Sequence, residues 1–306
     1  MTQRLAPIEH GAKPVWLKKR LPSGATYEKV GALINKAKIH TVCQKAQCPN
    51  IWECFSRKTA TFMIMGDRCT RNCRFCAVAN GPEHPPDTEE PLRVAETVRR
   101  LNLDYVVITS VTRDDLSDGG AFLFGQTINE IRKKVPHVMI ELLIPDFQGN
   151  KDALSSIAEA RPNVLNHNIE TVPRLYPTVR PEAIYKRSLD LLKQVVAFDS
   201  DIITKSGLML GLGENSEEIL NTLKDLLNAG CRLLTLGQYL RPSKGHLPVK
   251  RFLPPEEFDD WRKTALEMGF IEAASGPFVR SSYQAKKLYQ AIKPVPNHSN
   301  SNGILP

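Results

Sequence analysis

The stretch that decides the architecture is ATFMIMGDRCTRNCRFC, residues 60–76. Its first part, Ala60–Met65, is a short apolar run of the kind that forms a fully buried strand. Three cysteines then fall within eight residues: Cys69, Cys73 and Cys76, spaced C-x3-C-x2-C. Thiols packed so closely must wrap a single object. Soft sulfur donors select iron–sulfur clusters or zinc, and four-iron clusters are ordinarily held by cysteines. Phe75 is placed to cover a cluster face, and burial around the sulfurs sets the reduction potential. Three thiolates leave one corner of a four-iron cubane open, and an open corner is where chemistry can happen.

Working outward, short apolar runs alternate with longer amphipathic stretches. The strands expected are Ala60–Met65, Tyr105–Ser110, Val138–Leu143, Val164–Ile169, Ile203–Leu210 and Leu233–Leu236. The helices expected are Glu90–Leu101, Ala121–Lys134, Asp152–Glu159, Glu182–Phe198, Ser216–Ala229 and Pro255–Met268, with Gly230 as a helix stop. Six strand–helix repeats imply parallel strands with crossover helices. A closed eight-unit barrel takes about 250 residues, more than this segment offers. The fold expected is α/β, a partial (β/α)6 TIM-type barrel spanning 59–254. Residues 1–58, with a short helix near Tyr27–Ala37, and the C-terminal helix and tail, 255–292, would cover its open mouth. Residues 293–306, rich in Pro, Asn and Ser, read as a disordered tail. In such a barrel, reactive groups belong at the C-terminal ends of the strands, where the cysteine loop already falls.

Composition narrows the function classes. The chain has 306 residues, 42% hydrophobic, enough for a full core. No apolar run is long enough to span a membrane, and no signal or transit pattern opens the chain. A reducing, cytoplasmic setting is expected, so the cysteines are not read as disulfides. The net charge of +8 is spread out, with only short runs such as Lys18-Lys19-Arg20 and Arg132-Lys133-Lys134. Aromatics are 7% of the chain and there is no arginine-rich arm, which argues against nucleic acid.

Six of the seven cysteines lie between Cys43 and Cys76. The other triplet is Cys43, Cys48 and Cys54, spaced C-x4-C-x5-C. With His40 it could form a Cys₃His zinc site, although structural zinc ligands usually come in C-x₂₋₄-C pairs. On spacing alone both readings stay open. The lone Cys231 is given no role, since free cysteines are often simply buried.

The second triplet, C-x3-C-x-aromatic-C, resembles the signature of the radical S-adenosylmethionine (SAM) superfamily. The first triplet looks like the auxiliary-cluster motif of the lipoyl synthase family. Arg280-Ser281-Ser282-Tyr283 is similar to that family's C-terminal R-S-S-Y motif. Gln284 departs from the histidine that often follows, outside the ligand positions. The resemblance runs from about Pro14 to Tyr289 and implies two 4Fe-4S clusters. Cys69, Cys73 and Cys76 would hold one, with SAM on its open iron as the source of a 5′-deoxyadenosyl radical. Cys43, Cys48, Cys54 and Ser282 would hold the other, the consumed source of sulfur.

For SAM the resemblance implies Asn168, Glu170 and Arg180. Ser110 and Gly211-x-Gly213 lie at other polar strand ends, which suit a zwitterionic, hydroxyl-rich ligand. His167 is read as a structural histidine. The implied activity is insertion of sulfur at carbons 6 and 8 of a protein-bound octanoyl-lysine. The implied partners are octanoylated lipoyl carrier domains (dehydrogenase E2 subunits and glycine cleavage H protein), an electron donor such as ferredoxin or flavodoxin, and an iron–sulfur carrier for cluster repair. Such carrier domains are typically acidic, and a basic chain would steer them in. The alternatives are another radical SAM sulfur-inserting or methylthio-transferring enzyme, or a non-catalytic iron–sulfur or zinc scaffold.

Anaerobic reconstitution should give about eight irons and eight sulfides per chain. Replacing Cys69, Cys73 and Cys76 with Ala should leave about half of that iron and abolish SAM cleavage. Iron and sulfide assays with chromatographic detection of 5′-deoxyadenosine check both.

Overall fold

The structure is a computed structural model that describes residues 13–18, 24–81 and 84–292. The expected disordered tail and most of the stretch preceding Thr26 lie outside those residues. Ten strands are described: β1 (His40–Thr41), β2 (Thr61–Ile64), β3 (Arg68–Cys69), β4 (Ala79–Asn80), β5 (Tyr105–Ser110), β6 (Met139–Leu143), β7 (Val164–Asn166), β8 (Ile203–Leu210), β9 (Leu233–Gln238) and β10 (Glu272–Gly276). The helices among them are α1 (Ala25–Lys36), α2 (Val42–Lys45), α3 (Ile51–Ser56), α4 (Glu90–Leu101), α5 (Ala121–Lys134), α6 (Lys151–Glu159), α7 (Tyr176–Val179), α8 (Tyr185–Phe198), α9 (Ser216–Asn228), α10 (Pro255–Met268) and α11 (Ala285–Gln290).

The main sheet runs β1-β2-β5-β6-β7-β8-β9-β10. All neighbours pair in parallel except β1, which lies antiparallel on the outer edge of β2. Six strand–helix units stand where the sequence placed them: β2–α4, β5–α5, β6–α6, β7–α8, β8–α9 and β9–α10. Strand β10 is an addition that sequence pattern did not reveal. It reads EAASG and lacks the β-branched and aromatic residues that mark strands. Helices α2 and α3 were also missed, because four and six residues are too few to show a period.

The regular elements have local causes. Helix α4 buries Val94, Ala95, Val98 and Leu101 on one face and stops at Asn102 in the left-handed conformation, φ 53°. Helix α9 opens with a capping box, Asn215 and Glu218 each accepting the other's backbone N–H at 2.9 Å. It stops before Gly230, φ 80°, in keeping with the glycine stop read from sequence.

Alternate residues of β5 serve two cores, as period two demands. Val106 and Ile108 pack with the outer helices. Tyr105 and Val107 face inward, with Val164, Ile203 and Leu233, against Ala285, Leu288 and Tyr289 of α11. Helix α11 therefore plugs the N-terminal end of the barrel. In the same interior, Lys205 pairs with Glu141 at 2.8 Å, both fully buried, and the Tyr105 hydroxyl donates to Glu141 at 2.6 Å.

Strand β10 ends at the mouth, whereas α11 sits at the opposite end. The chain between them must pass back through the interior. Its carbonyl at Val279 lies so close to Gly237 that a Cβ there would come within 2.1 Å of it. The N-terminal extension meets this descending tail. Asn50 donates to the Phe278 carbonyl at 2.6 Å, Thr61 to Ser282 Oγ at 2.7 Å, and Tyr283 to Glu53 at 3.0 Å. Among the described residues no helix is long and apolar enough to cross a membrane.

A Gly237→Ala substitution should displace the tail rather than the sheet, because Val279 is the part that can move. Overpacking of this kind costs about 1–3 kcal/mol. Circular dichroism should stay native, while limited trypsinolysis after Arg280 becomes faster than in the wild type.

Candidate active site

The cysteine loop after β2 is fastened from several sides. Thr70 N–H and Oγ1 both donate to the Thr112 carbonyl, at 3.1 and 3.0 Å. Arg74 N–H donates to the Val179 carbonyl at 2.9 Å, and His246 Nε2 lies 2.9 Å from the Cys76 carbonyl. Arg71, between the first two cysteines, is the main anchor. Its guanidinium donates to Asp114 at 2.6 and 2.9 Å and to Asp146 at 2.5 Å. Arg71 and Asp146 are buried. Burial alone would raise the Asp146 carboxyl, but Arg71 outweighs it and holds the group at about 2.

The three thiols share one electrostatic neighbourhood. Burial pushes Cys73 up to about 12, with Arg180 pulling it down and Cys76, Cys69 and Glu170 adding to the rise. Burial likewise pushes Cys76 up to about 11, with Cys69 and Glu170 raising it further. Cys69 Sγ accepts the Thr112 N–H at 3.3 Å. Each thiol must lose its proton to become a ligand.

The barrel mouth beside this loop carries polar atoms that the protein leaves unsatisfied. Ser110 Oγ, Asn168 Oδ1, Thr171 Oγ1, Arg180 Nε and Ser275 Oγ are buried without a partner. Each such atom costs about 1–3 kcal/mol unless something supplies a hydrogen bond. Three of these residues, Ser110, Asn168 and Arg180, were singled out from sequence as cofactor contacts. Arg180 reaches from the end of α7 to the Asn168 and Ile169 carbonyls at 2.9 and 3.3 Å. Asn168 Nδ2 donates to Glu170 at 3.0 Å. Glu170 sits in the concave mouth; desolvation raises its carboxyl, against the pull of Arg180, Asn168 and Arg280. Gly207 lies on the same wall, where a Cβ would reach 2.3 Å from Thr235 Oγ1 and 3.1 Å from Asn168 Oδ1. These unsatisfied donors and acceptors fit a polar, charged ligand.

The first triplet lies on the β2 side of the interior. Burial pushes Cys43 up to about 11, neighbouring Cys48 adds to this, and hydrogen bonding with Thr61 opposes it. Thr61 Oγ1 also donates to Ser282 Oγ, so Cys43 and Ser282 share one partner. Ser281 faces the other way, its Oγ accepting from Asn168 Nδ2 at 2.5 Å. Arg280, just before this pair, has a charge that is felt by both Cys48 and Glu170. Among the described residues, no three His, Cys, Asp or Glu side chains converge on a single-ion site. A four-iron cluster is larger than an ion and needs wider-set thiols than zinc, which holds sulfur at about 2.3 Å. Burial holds the His40 imidazole below its ordinary range, with Asp67 opposing and Lys45 adding to the effect.

Sequence reading passed over Arg71, Asp146, Thr61 and Ser275. Arg71 sits inside the cysteine motif and carried a signal, a charged residue in a loop that must be buried. The others belong to no motif. His167 is fully hydrogen-bonded, to the Ile144 carbonyl and Ser188 Oγ, each at 2.9 Å. Cys231 is buried, its thiol donating to the Leu233 carbonyl at 3.3 Å.

The sequence profile of the Radical SAM superfamily matches residues 63–226. The fold agrees: HydG, a maturase of the [FeFe]-hydrogenase, has a TM-score of 0.54 at 14% identity, over 80% of this chain and 62% of that one. Streptococcus suis SuiB has a TM-score of 0.51 at 12% identity, over 79% and 50%. The chain is a radical SAM enzyme, and that membership brings SAM and a [4Fe–4S] cluster as cofactors. The lipoyl synthase of Desulfotalea psychrophila is 58% identical over 278 residues, 91% of this chain and 93% of that protein. That of Caldanaerobacter subterraneus subsp. tengcongensis is 55% identical over 273 residues, 89% and 95%. The chain belongs to the lipoyl synthase family.

Replacing Arg71 with Gln should strip Asp146 of its main counter-charge, at a cost of about 3–5 kcal/mol. Adding Asp146→Asn should recover part of the loss. The folded Asp146 carboxyl lies below its unfolded value of about 3.9. Its contribution is therefore full above that value and is lost as pH falls through about 2. Urea unfolding at several pH values checks both.

Proposed function

We propose that the chain carries out the lipoyl synthase reaction, with Cys69, Cys73 and Cys76 holding the SAM-binding cluster and Cys43, Cys48, Cys54 and Ser282 holding the sulfur donor. The observation that carries this reading is the descending tail. It sets Ser282 against Thr61, the partner of Cys43, and Ser281 against Asn168 at the mouth. The substrate problem is an octanoyl chain whose C–H bonds at carbons 6 and 8 are too weakly acidic for any side-chain base. SAM beside its reduced cluster supplies the one-electron chemistry that removes such hydrogens. The residues' part is positional. Ser110, Asn168, Glu170 and Arg180 hold the cofactor against the cysteine loop. The interior between the two triplets receives the acyl chain and excludes water. Ser282 would offer that cluster a hard oxygen ligand where a fourth thiolate would hold the iron more firmly.

In this reading residues 1–58 carry most of the donor site, 59–254 the radical chemistry and 255–292 the serine ligand. The acyl chain arrives on a lipoyl carrier domain, of the dehydrogenase E2 or glycine cleavage H type. A ferredoxin or flavodoxin supplies electrons, and an iron–sulfur carrier rebuilds the donor cluster in the cytoplasm.

An anaerobic reaction of reconstituted protein, SAM, reductant and an octanoyl-lysyl peptide should add two sulfur atoms by mass spectrometry. With Cys43, Cys48 and Cys54 replaced by Ala, SAM cleavage should persist and no sulfur should be added. Sulfur insertion by that variant without added sulfide would contradict the assignment.

A further inference from the structure

The mouth contains one side chain whose orientation is dictated from an unexpected direction. Asn168 is buried at the end of β7. Its Nδ2 donates twice, to Glu170 Oε1 at 3.0 Å and to Ser281 Oγ at 2.5 Å. With both hydrogens engaged, Oδ1 is left without any partner. Turning the amide over would set Oδ1 against the Glu170 carboxylate, acceptor against acceptor, whereas the Ser281 hydroxyl, which can donate or accept, anchors the amide in place either way. Glu170 thus sets which way the amide faces and Ser281 anchors it, leaving Oδ1 buried without a partner on the Gly207 side, where a Cβ would come within 3.1 Å of it. One of the two groups that fix it comes from the tail, 113 residues further along the chain.

We propose that Ser281 is a positioning residue for the SAM site: its hydroxyl holds the Asn168 amide so that Oδ1 accepts from a hydroxyl or ammonium donor of the bound cofactor. This rests on the reading that Asn168 contacts SAM. It gives the two adjacent serines different tasks, one toward each site. Ser281 does not touch the cofactor; it acts through Asn168.

The test is equilibrium binding of SAM to the anaerobically reconstituted full chain, with iron content measured alongside. Four proteins are compared: wild type, Ser281→Ala, Asn168→Ala and the double variant. Ser281→Ala should weaken SAM binding about fivefold, the scale of one net hydrogen bond, with iron unchanged. In the Asn168→Ala background the same substitution should have no further effect on SAM affinity. If Ser281→Ala binds SAM like the wild type while Asn168→Ala is weakened, the role of Ser281 is refuted and the reading of Asn168 stands. If Asn168→Ala binds like the wild type, that reading fails and takes the proposal with it. An equal loss from Ser281→Ala in both backgrounds, or a loss of iron, would place Ser281 in general support of the fold or at the donor cluster, and would overturn the proposal.

Discussion

The eight-stranded main sheet does not close on itself, and the opening it leaves governs the rest of the molecule. In a closed barrel the first and last strands would pair. Here β2 and β10 lie far apart in the sheet order, with β1 on the outer edge of β2. Open edges and an uncovered interior are liabilities. The two ends of the chain cover them, and in doing so they meet. The contacts of Asn50 with Phe278, of Thr61 with Ser282 and of Glu53 with Tyr283 join residues more than two hundred positions apart. The first cysteine triplet rides on one of these ends and the serine pair on the other, so the two come together only where the opening is covered.

The interior is layered. At the N-terminal end it is apolar and plugged by α11. Above that lies the buried Lys205–Glu141 pair, and at the mouth come the unsatisfied polar atoms of Ser110, Asn168, Arg180 and Ser275. Charge is placed to offset burial at each step. Arg71 holds Asp146 ionised. Arg180 and Arg280 both act on Glu170. The thiols have less to offset theirs, and burial leaves Cys43, Cys73 and Cys76 well above the ordinary range. Thiols raised so far stay protonated near neutral pH, and any metal or cluster they bound would displace those protons.

Much of this was legible in the sequence because its signals are periodic or covalently local. Tyr105–Ser110, Glu90–Leu101 and Ala121–Lys134 have the bounds their hydropathy suggests. The cysteine spacings and the R-S-S-Y run are visible without any fold. What sequence does not carry is pairing across distance. Thr61 reads as an ordinary strand residue until its hydroxyl is found on Ser282. Asp146 reads as a turn residue until Arg71 is found beside it. Strand β10 is invisible because small residues there leave room for the tail at the mouth, and residues suited to that role carry little strand preference. Ser281 and Ser282 are the central residues of a turn that the Tyr283 N–H closes on the Arg280 carbonyl at 2.9 Å, so which one faces which way could only come from the structure.

The tail descends through the barrel and brings Ser282, and not Ser281, against Thr61, the hydrogen-bond partner of Cys43. The most direct measurement is an anaerobic crystal structure of the fully reconstituted protein with SAM. Ser282 Oγ should be bonded to an iron of a cluster held by Cys43, Cys48 and Cys54, with Ser281 Oγ on Asn168. Ser281 on that iron, neither serine on it, or a tail lying outside the barrel would contradict it.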